Sequence, residues 1–219
     1  MQDQIELKQV GHYFETASQR IDLFRDLSQT IVPGGIQAIV GPSGAGKSSL
    51  LSIAAGLEAP RTGAVSITIG GRPVDARALR ARSGFIFQQF HLMPELDAIG
   101  NLALPLRLKG DRHAFDVAAR WLEKIGLEKR ARHRPDQLSG GEQQRIAIAR
   151  AFVGNPRFVF ADEPTGNLDE RTAAAVTDLM VGFARDSGCA MVIVTHSRRL
   201  AACADTRLRL TAGRLEALQ

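Results

Sequence analysis

The sequence has little with which to be stapled, secreted or embedded. Its two cysteines among 219 residues, Cys189 and Cys203, stand in separate late segments without CxxC spacing. That excludes a disulfide framework and makes a reduced, cytosolic compartment the expectation. Long apolar runs are missing too: Ala190 to Val194 is strand-sized against the roughly 20 residues a membrane helix needs. The N-terminus, MQDQIELKQV, carries acids and amides where a secretion signal needs a basic patch and an apolar stretch. Aromatic residues make up only 5%, and the densest basic run, Lys129 to Arg134, has no Phe, Tyr or Trp, so no base-stacking platform accompanies the net charge of +5. Acids are scattered among the arginines, and nucleic acid is not expected as a partner. Neither an internal repeat nor a low-complexity linker interrupts the chain, which points to one domain over 1–219.

What is present is a repeated plan of apolar strand, polar turn and helix. Ile36 to Val40 (IQAIV) runs straight into glycines, after which Ser48 to Leu57 (SSLLSIAAGL) reads as helix. Arg157 to Ala161 (RFVFA) and Ala190 to Val194 (AMVIV) stop as abruptly, at Asp162-Glu163 and Thr195-His196. Continuously apolar strands alternating with helices predict an α/β fold with a parallel sheet covered on both faces, whose carboxyl ends form the ligand site. The stretch from about Gly63 to Phe87 is rich in Val, Ile, Thr and Gly and predicts antiparallel strands. Residues 91 to 153 read mainly as helix, with Trp121, Leu122 and Ile125 at core spacing, so a helical subdomain over about 90–153 is expected inside the core.

Three clusters carry chemistry. Gly41, Pro42, Ser43, Gly44, Ala45, Gly46, Lys47 and Ser48 fit the phosphate-binding pattern GxxxxGK[ST], and they stand between a strand and a helix as that loop must. Glycines let successive N–H groups curl toward phosphate oxygens, Lys47 reaches the β- and γ-phosphates of ATP, and Ser48 offers a hydroxyl to Mg²⁺. Asp162 and Glu163 end a strand, where consecutive side chains diverge. One carboxylate, Asp162, can then serve the metal through water while Glu163 orients the water that attacks the γ-phosphate. In the third cluster, Ser139 and Glu142 form a capping box that opens a helix bearing Ile146, Ala149 and Val153 on one face. An ordinary capped helix explains those two residues but not Gly140 and Gly141 in its first turn, where each glycine costs roughly 1 kcal/mol of propensity.

LSGGEQQR, from Leu138 to Arg145, resembles the signature of ABC ATPases, and no other P-loop class carries it. The resemblance covers essentially the whole chain and implies a P-loop core with a parallel sheet, an antiparallel β subdomain and a helical subdomain. FVFADEPTGNLD and FIFQQFHLMPELDAIGNLALPL look most like subunits of the mechanotransmission branch, which serve macrolide-exporter and lipoprotein-release permeases and whose relatives also handle haem and peptides. The resemblance assigns Gln88 to the loop that senses Mg²⁺ and nucleotide. Asn167, Leu168 and Asp169 match the segment crossing to a partner subunit, and His196, completing VIVTH, matches the switch histidine at the γ-phosphate. Tyr13 matches the aromatic residue that stacks on adenine, with Phe14 adjacent. Ser49 replaces a threonine, Ser197 an aspartate, and Gly100 a frequent glutamate, departures that remove no catalytic group.

That family implies a homodimer sandwiching two ATP molecules, each held by the phosphate loop of one subunit and by Ser139 and Gly141 of the other. It also implies a separate permease at the cytoplasmic face of the membrane, coupled through the region from Gln88 to Pro105. The short chain beyond His196 favours export or membrane extraction over import. A cell-division relative that transmits force without transport stays open. A soluble ABC ATPase acting on DNA or ribosomes is disfavoured, because fewer than 100 residues separate phosphate loop and signature and only one nucleotide domain is present.

Overall fold

The computed structural model describes residues 3–15 and 19–218. The three apolar strands read from the sequence become β3 (Ile36–Val40), β7 (Phe158–Asp162) and β8 (Ala190–Val194). They are parallel neighbours in a six-stranded sheet ordered β10-β9-β3-β8-β7-β6. Burial on both faces explains their continuous apolar character. Phe158, Phe160, Val192 and Val194 pack into one layer, whereas Val159, Ala161, Met191 and Ile193 pack into the opposite one.

The first layer is closed by α1 (Lys47–Ala54) and by a four-stranded antiparallel sheet ordered β2-β1-β4-β5. Its strands are β1 (Gln4–Glu15), β2 (Arg20–Ile31), β4 (Thr62–Ile69) and β5 (Arg72–Pro73). Ile5, Leu7, Phe24, Leu50 and Ile53 fill the space between the two sheets. The second layer is closed by α6 (Glu170–Ser187), through Val176, Met180 and Ala184, and by Leu200 of α7 (Arg198–Ala202).

Residues 62 to 87 depart from the expectation of antiparallel strands. β4 and β5 are antiparallel, but α2 (Ala76–Arg80) intervenes, and β6 (Ser83–Phe87) crosses to the other sheet to pair in parallel with β7. The helix is opened by Asp75, whose carboxylate accepts the Ala78 N–H at 2.7 Å. A short β-rich run does not reveal its partner, because pairing is chosen by distant residues. The last pair, β9 (Thr206–Thr211) and β10 (Arg214–Leu218), closes the far edge as a hairpin.

Between β6 and β7 lie α3 (Ala98–Leu108), α4 (Ala114–Lys124) and α5 (Gly140–Phe152). Leu102, Leu122, Ile125, Ile146, Ala149 and Val153 make their shared core. Trp121 sits at its margin, edge-on to Phe183 of α6 at 4.9 Å, so it joins the helices to the sheet layer. Asn101 is fully buried: its carbonyl accepts the Met93 N–H at 2.7 Å and its amide faces the carbonyls of Met93, Leu96 and Asp97. Gly100 is explained by the cap beside it, since a Cβ there would stand 2.9 Å from the Asp97 carboxylate that accepts the Gly100 N–H.

Candidate functional site

Strand register brings the reactive residues together. Ile39 pairs with Val194, Val194 with Asp162, and Asp162 with Phe87, so β3, β8, β7 and β6 end level with one another. The residues that follow are Gly41, Thr195-His196, Glu163 and Gln88, meeting at one edge as carboxyl ends of parallel strands do.

The phosphate loop owes its path to glycine. Gly46 caps α1 with φ of 90°, and a Cβ at Gly41 would lie 2.3 Å from the Leu210 carbonyl oxygen. Lys47 is buried, and its ammonium donates to the carbonyls of Gly41 at 3.1 Å and Pro42 at 2.9 Å. A cavity of about 400 Å³ opens over the loop, lined by Ser43, Gly44, Gly46, Lys47, Ser48 and Ser49 on one side and by Gln88, Glu163 and His196 on the other.

Asp162 and Glu163 point to different partners. Asp162 Oδ1 accepts from Ser48 Oγ at 3.0 Å. Burial pushes its carboxyl above the usual carboxylate range; the Ser48 hydrogen bond opposes that rise, the Glu163 charge adds to it, and Lys47 counters it. Glu163 sits at φ of 44°, with its N–H held by the Val194 carbonyl at 2.9 Å. Its Oε1 lies 2.9 Å from His196 Nδ1, while Oε2 accepts from Thr195 Oγ1 and the His196 N–H, both at 3.3 Å. Such a non-glycine conformation persists only where surrounding contacts hold it, and here they aim a carboxylate at the cavity. Thr195, fully buried, was not singled out from the sequence; its hydroxyl is indistinguishable there from a strand-end threonine.

Gln88 donates its amide to Asn167 Oδ1 at 2.9 Å, and Asn167 returns a hydrogen bond to the Gln88 carbonyl at 3.1 Å. The Gln88 side-chain oxygen is thereby left for a cation. With the Ser48 hydroxyl and the Asp162 carboxylate, themselves 3.0 Å apart, it would supply oxygen donors of the kind that suit Mg²⁺. Arg150 of α5 fixes the backbone beyond Gln88 by donating to the carbonyls of His91 at 2.7 Å and Phe90 at 3.0 Å.

Other expected residues are not in this cavity. Ser139 opens α5, where Glu142 Oε2 accepts from both its N–H and its hydroxyl at 2.8 Å, and Arg130 pairs with Glu142 at 3.1 Å. Gly140 lies beside Phe90 and Leu168, and a Cβ at Gly141 would stand 2.5 Å from Thr172 Cγ2. Asp169 caps α6 by accepting the Thr172 N–H at 3.0 Å. Gln144, buried and also missed, donates to the Pro164 carbonyl at 2.6 Å and so ties the signature helix to the loop after β7.

Tyr13, the expected adenine-stacking residue, stands beside the cavity over the phosphate loop without lining it. Its ring lies beneath the Arg20 guanidinium at 3.6 Å, with Arg61 at 5.5 Å, and the aromatic residue lining the cavity is Phe14, beside Leu23. Neighbouring strand residues face opposite ways, so Tyr13 and Phe14 have different surroundings.

A glycine loop between strand and helix, a buried lysine over it and a carboxylate aimed across the cavity define a P-loop nucleotide hydrolase. The family profile described as ABC transporter matches residues 24–166. The chain is 43% identical over 219 residues to the lipoprotein-releasing system ATP-binding protein LolD of Bordetella pertussis, covering 97% of this chain and 95% of that one. It is 44% identical to the uncharacterized ABC transporter ATP-binding protein YbbA of Escherichia coli, covering 95% and 96%. Among solved structures, the dimeric post-hydrolysis state of the ATP-binding cassette MJ0796 bound to ADP and Pi aligns with a TM-score of 0.84 at 34% identity, covering 98% of this chain and 99% of that one. The chain belongs to the ABC transporter family. It is the ATP-binding, ATP-hydrolysing subunit, and its permease is a separate chain; among the described residues no helix is long and apolar enough to cross a membrane.

Proposed function

We propose that this chain powers export or membrane extraction, as the peripheral ATPase at the cytoplasmic face of the inner membrane, and that it works as a head-to-tail homodimer. Relatives named for lipoprotein release support the extraction reading, and a solved relative described as dimeric supports the pair. Each ATP lies between the phosphate loop of one subunit and Ser139 and Gly141 of the other, which accounts for a signature that does not line its own chain's cavity.

The observation that carries the reading is the Glu163 carboxylate, held by His196 and Thr195 over the loop that bears Lys47. Glu163 orients and polarises the attacking water, His196 steadies that carboxylate beside the γ-phosphate, and Lys47 draws the β- and γ-phosphate charge toward the loop. Ser48, Asp162 and Gln88 would hold Mg²⁺, which supplies charge neutralisation at the phosphates when bound. Residues 1–219 act as one unit, with 90–153 as its helical subdomain, and the Gln88–Asn167 pair relays the nucleotide's state toward Pro105 and the permease.

The test is Glu163→Gln. The amide keeps the side chain's shape but loses the charge that polarises water, so hydrolysis is expected to fall about 100-fold or more while ATP binding persists. Retained ATP favours the closed pair by mass action, so the variant should elute as a dimer with Mg-ATP in size-exclusion chromatography and as a monomer without it. Wild-type hydrolysis, together with monomeric elution in nucleotide, would remove Glu163 from the mechanism.

A further inference from the structure

Gln144 of α5 is fully buried, and only half of its side chain is used. Its amide donates to the Pro164 carbonyl at 2.6 Å, while among the described residues its Oε1 has no hydrogen-bond partner. Pro164 is buried as well, and a buried carbonyl needs a donor. A buried polar atom without a partner costs stability, so packing alone does not explain a glutamine at this position.

The carbonyl it holds follows directly on Glu163. Glu163 lies at φ of 44°, a conformation kept only by surrounding contacts, and its own carbonyl accepts the Gly166 N–H at 3.0 Å to close a tight turn. Two bonds fix that turn from outside: the Val194 carbonyl takes the Glu163 N–H at 2.9 Å, and Gln144 holds the next residue. The same face of α5 touches the rest of the loop, since Gly140 and Gly141 stand one turn before Gln144. A Cβ at Gly140 would lie 3.8 Å from Leu168 Cδ2, and one at Gly141 would lie 2.5 Å from Thr172 Cγ2. One turn after Gln144, Ile148 joins the core layer that holds Ala161 of β7. The signature glycines thus let the helix lie against the segment that carries Glu163, and Gln144 supplies the hydrogen bond between them.

In the head-to-tail pair, Ser139 and Gly141 meet the nucleotide of the facing subunit, whereas Glu163 serves the nucleotide of its own chain. We propose that Gln144 is a positioning residue that links the two. When the N-terminus of α5 engages the facing nucleotide, the Gln144–Pro164 bond fixes the turn that aims Glu163 in this chain's own site. Each ATP thereby sets the carboxylate that hydrolyses the other, and turnover is cooperative in ATP, with a Hill coefficient above 1 and at most about 2 for two sites. This inference rests on the shared-site reading above.

The experiment uses the full chain and two substitutions. Gln144→Met fills the space but has no donor. Gln144→Glu donates like the amide while protonated and cannot once ionised, and burial raises the pKa of such a carboxyl. Gln144→Met should bind ATP within about twofold of wild type, which certifies its fold, and Glu163→Gln/Gln144→Met should still elute as a dimer in Mg-ATP. Turnover of Gln144→Met should nevertheless fall about tenfold, the effect of one lost hydrogen bond, with a Hill coefficient of about 1. Gln144→Glu, compared with wild type at each pH, should hydrolyse and cooperate normally at about pH 6 and lose both as its carboxyl ionises. This second arm decides even where Gln144→Met fails to fold. Wild-type turnover and cooperativity in Gln144→Met, or a relative rate of Gln144→Glu that does not fall as pH rises, overturns the proposal. Failure of Glu163→Gln alone to dimerise in Mg-ATP overturns the shared-site reading instead, so the two failures are told apart.

Discussion

Two helix N-termini in this molecule face phosphates in the proposed mechanism, and they are built in opposite ways. α1 begins at a glycine in a left-handed conformation with no side-chain cap, so its first N–H groups have no protein acceptor from the cap. α5 begins at Ser139 with a complete capping box, which answers the N–H groups of Ser139 and Glu142 and leaves those of Gly140 and Gly141 between them. The first offers its whole opening turn to phosphate oxygens, and the second offers a fixed hydroxyl, two glycine N–H groups and a dipole. Affinity should therefore reside in α1 of one subunit, and discrimination of the γ-phosphate in α5 of the other.

The largest expected effects test that division. Lys47→Ala removes the charge that lies over the loop, and nucleotide affinity should fall about 100-fold, with turnover lost alongside, since interactions with charged groups contribute roughly 1.5–3 kcal/mol. Ser139→Arg should leave affinity per chain within about threefold of wild type but abolish turnover, because a long cation fills the contact with the facing subunit. Nucleotide titration and phosphate-release assays on both variants check this. Equal loss of affinity in the two would break the comparison.

A smaller effect sharpens it. Thr195→Val keeps the shape of the strand end but deletes the hydroxyl that donates to Glu163 Oε2 and accepts the Ser197 N–H at 3.0 Å. Turnover should drop about tenfold, roughly 1.4 kcal/mol, with unchanged ATP affinity, the low end for a hydrogen bond to a charged carboxylate because this one is long at 3.3 Å. A change in affinity instead would place Thr195 in nucleotide binding.

The parts of this architecture legible from sequence are those where a local pattern has one physical explanation. Buried parallel strands announce themselves as unbroken apolar runs, and GPSGAGKS and LSGGEQQR require their glycines. That Asp162 and Glu163 point apart followed from strand geometry, whereas their partners Ser48 and His196 came only with the fold. The parallel pairing of β6 was not legible because its partner lies some 75 residues away. Thr195, Gln144 and Asn101 were invisible for a different reason. Their value lies in which carbonyl or carboxylate they reach after folding, and a polar residue in a buried element has no sequence signal for its acceptor.

The smallest effect concerns the capping box of α5. The Ser139 N–H and hydroxyl hold the Glu142 carboxyl below the usual range, with Arg130 adding to that. A carboxyl held low in the folded state contributes stability that is present above its unfolded pKa, about 4.3 for glutamate, and is lost as pH falls through the folded value. Glu142→Gln keeps an acceptor for Ser139 but exchanges a charged hydrogen bond for a neutral one and removes the pair with Arg130. The expected loss is about 0.5–1 kcal/mol at pH 7, at the low end because Arg130 is exposed and the pair is screened. Urea unfolding of both proteins across pH should show the two curves converging in acid, as pH falls through the lowered pKa at which wild-type Glu142 takes up its proton. A difference that stays constant down to acid pH would mean that the Glu142 charge does not support this cap, and that α5 owes its N-terminus to the Ser139 hydroxyl alone.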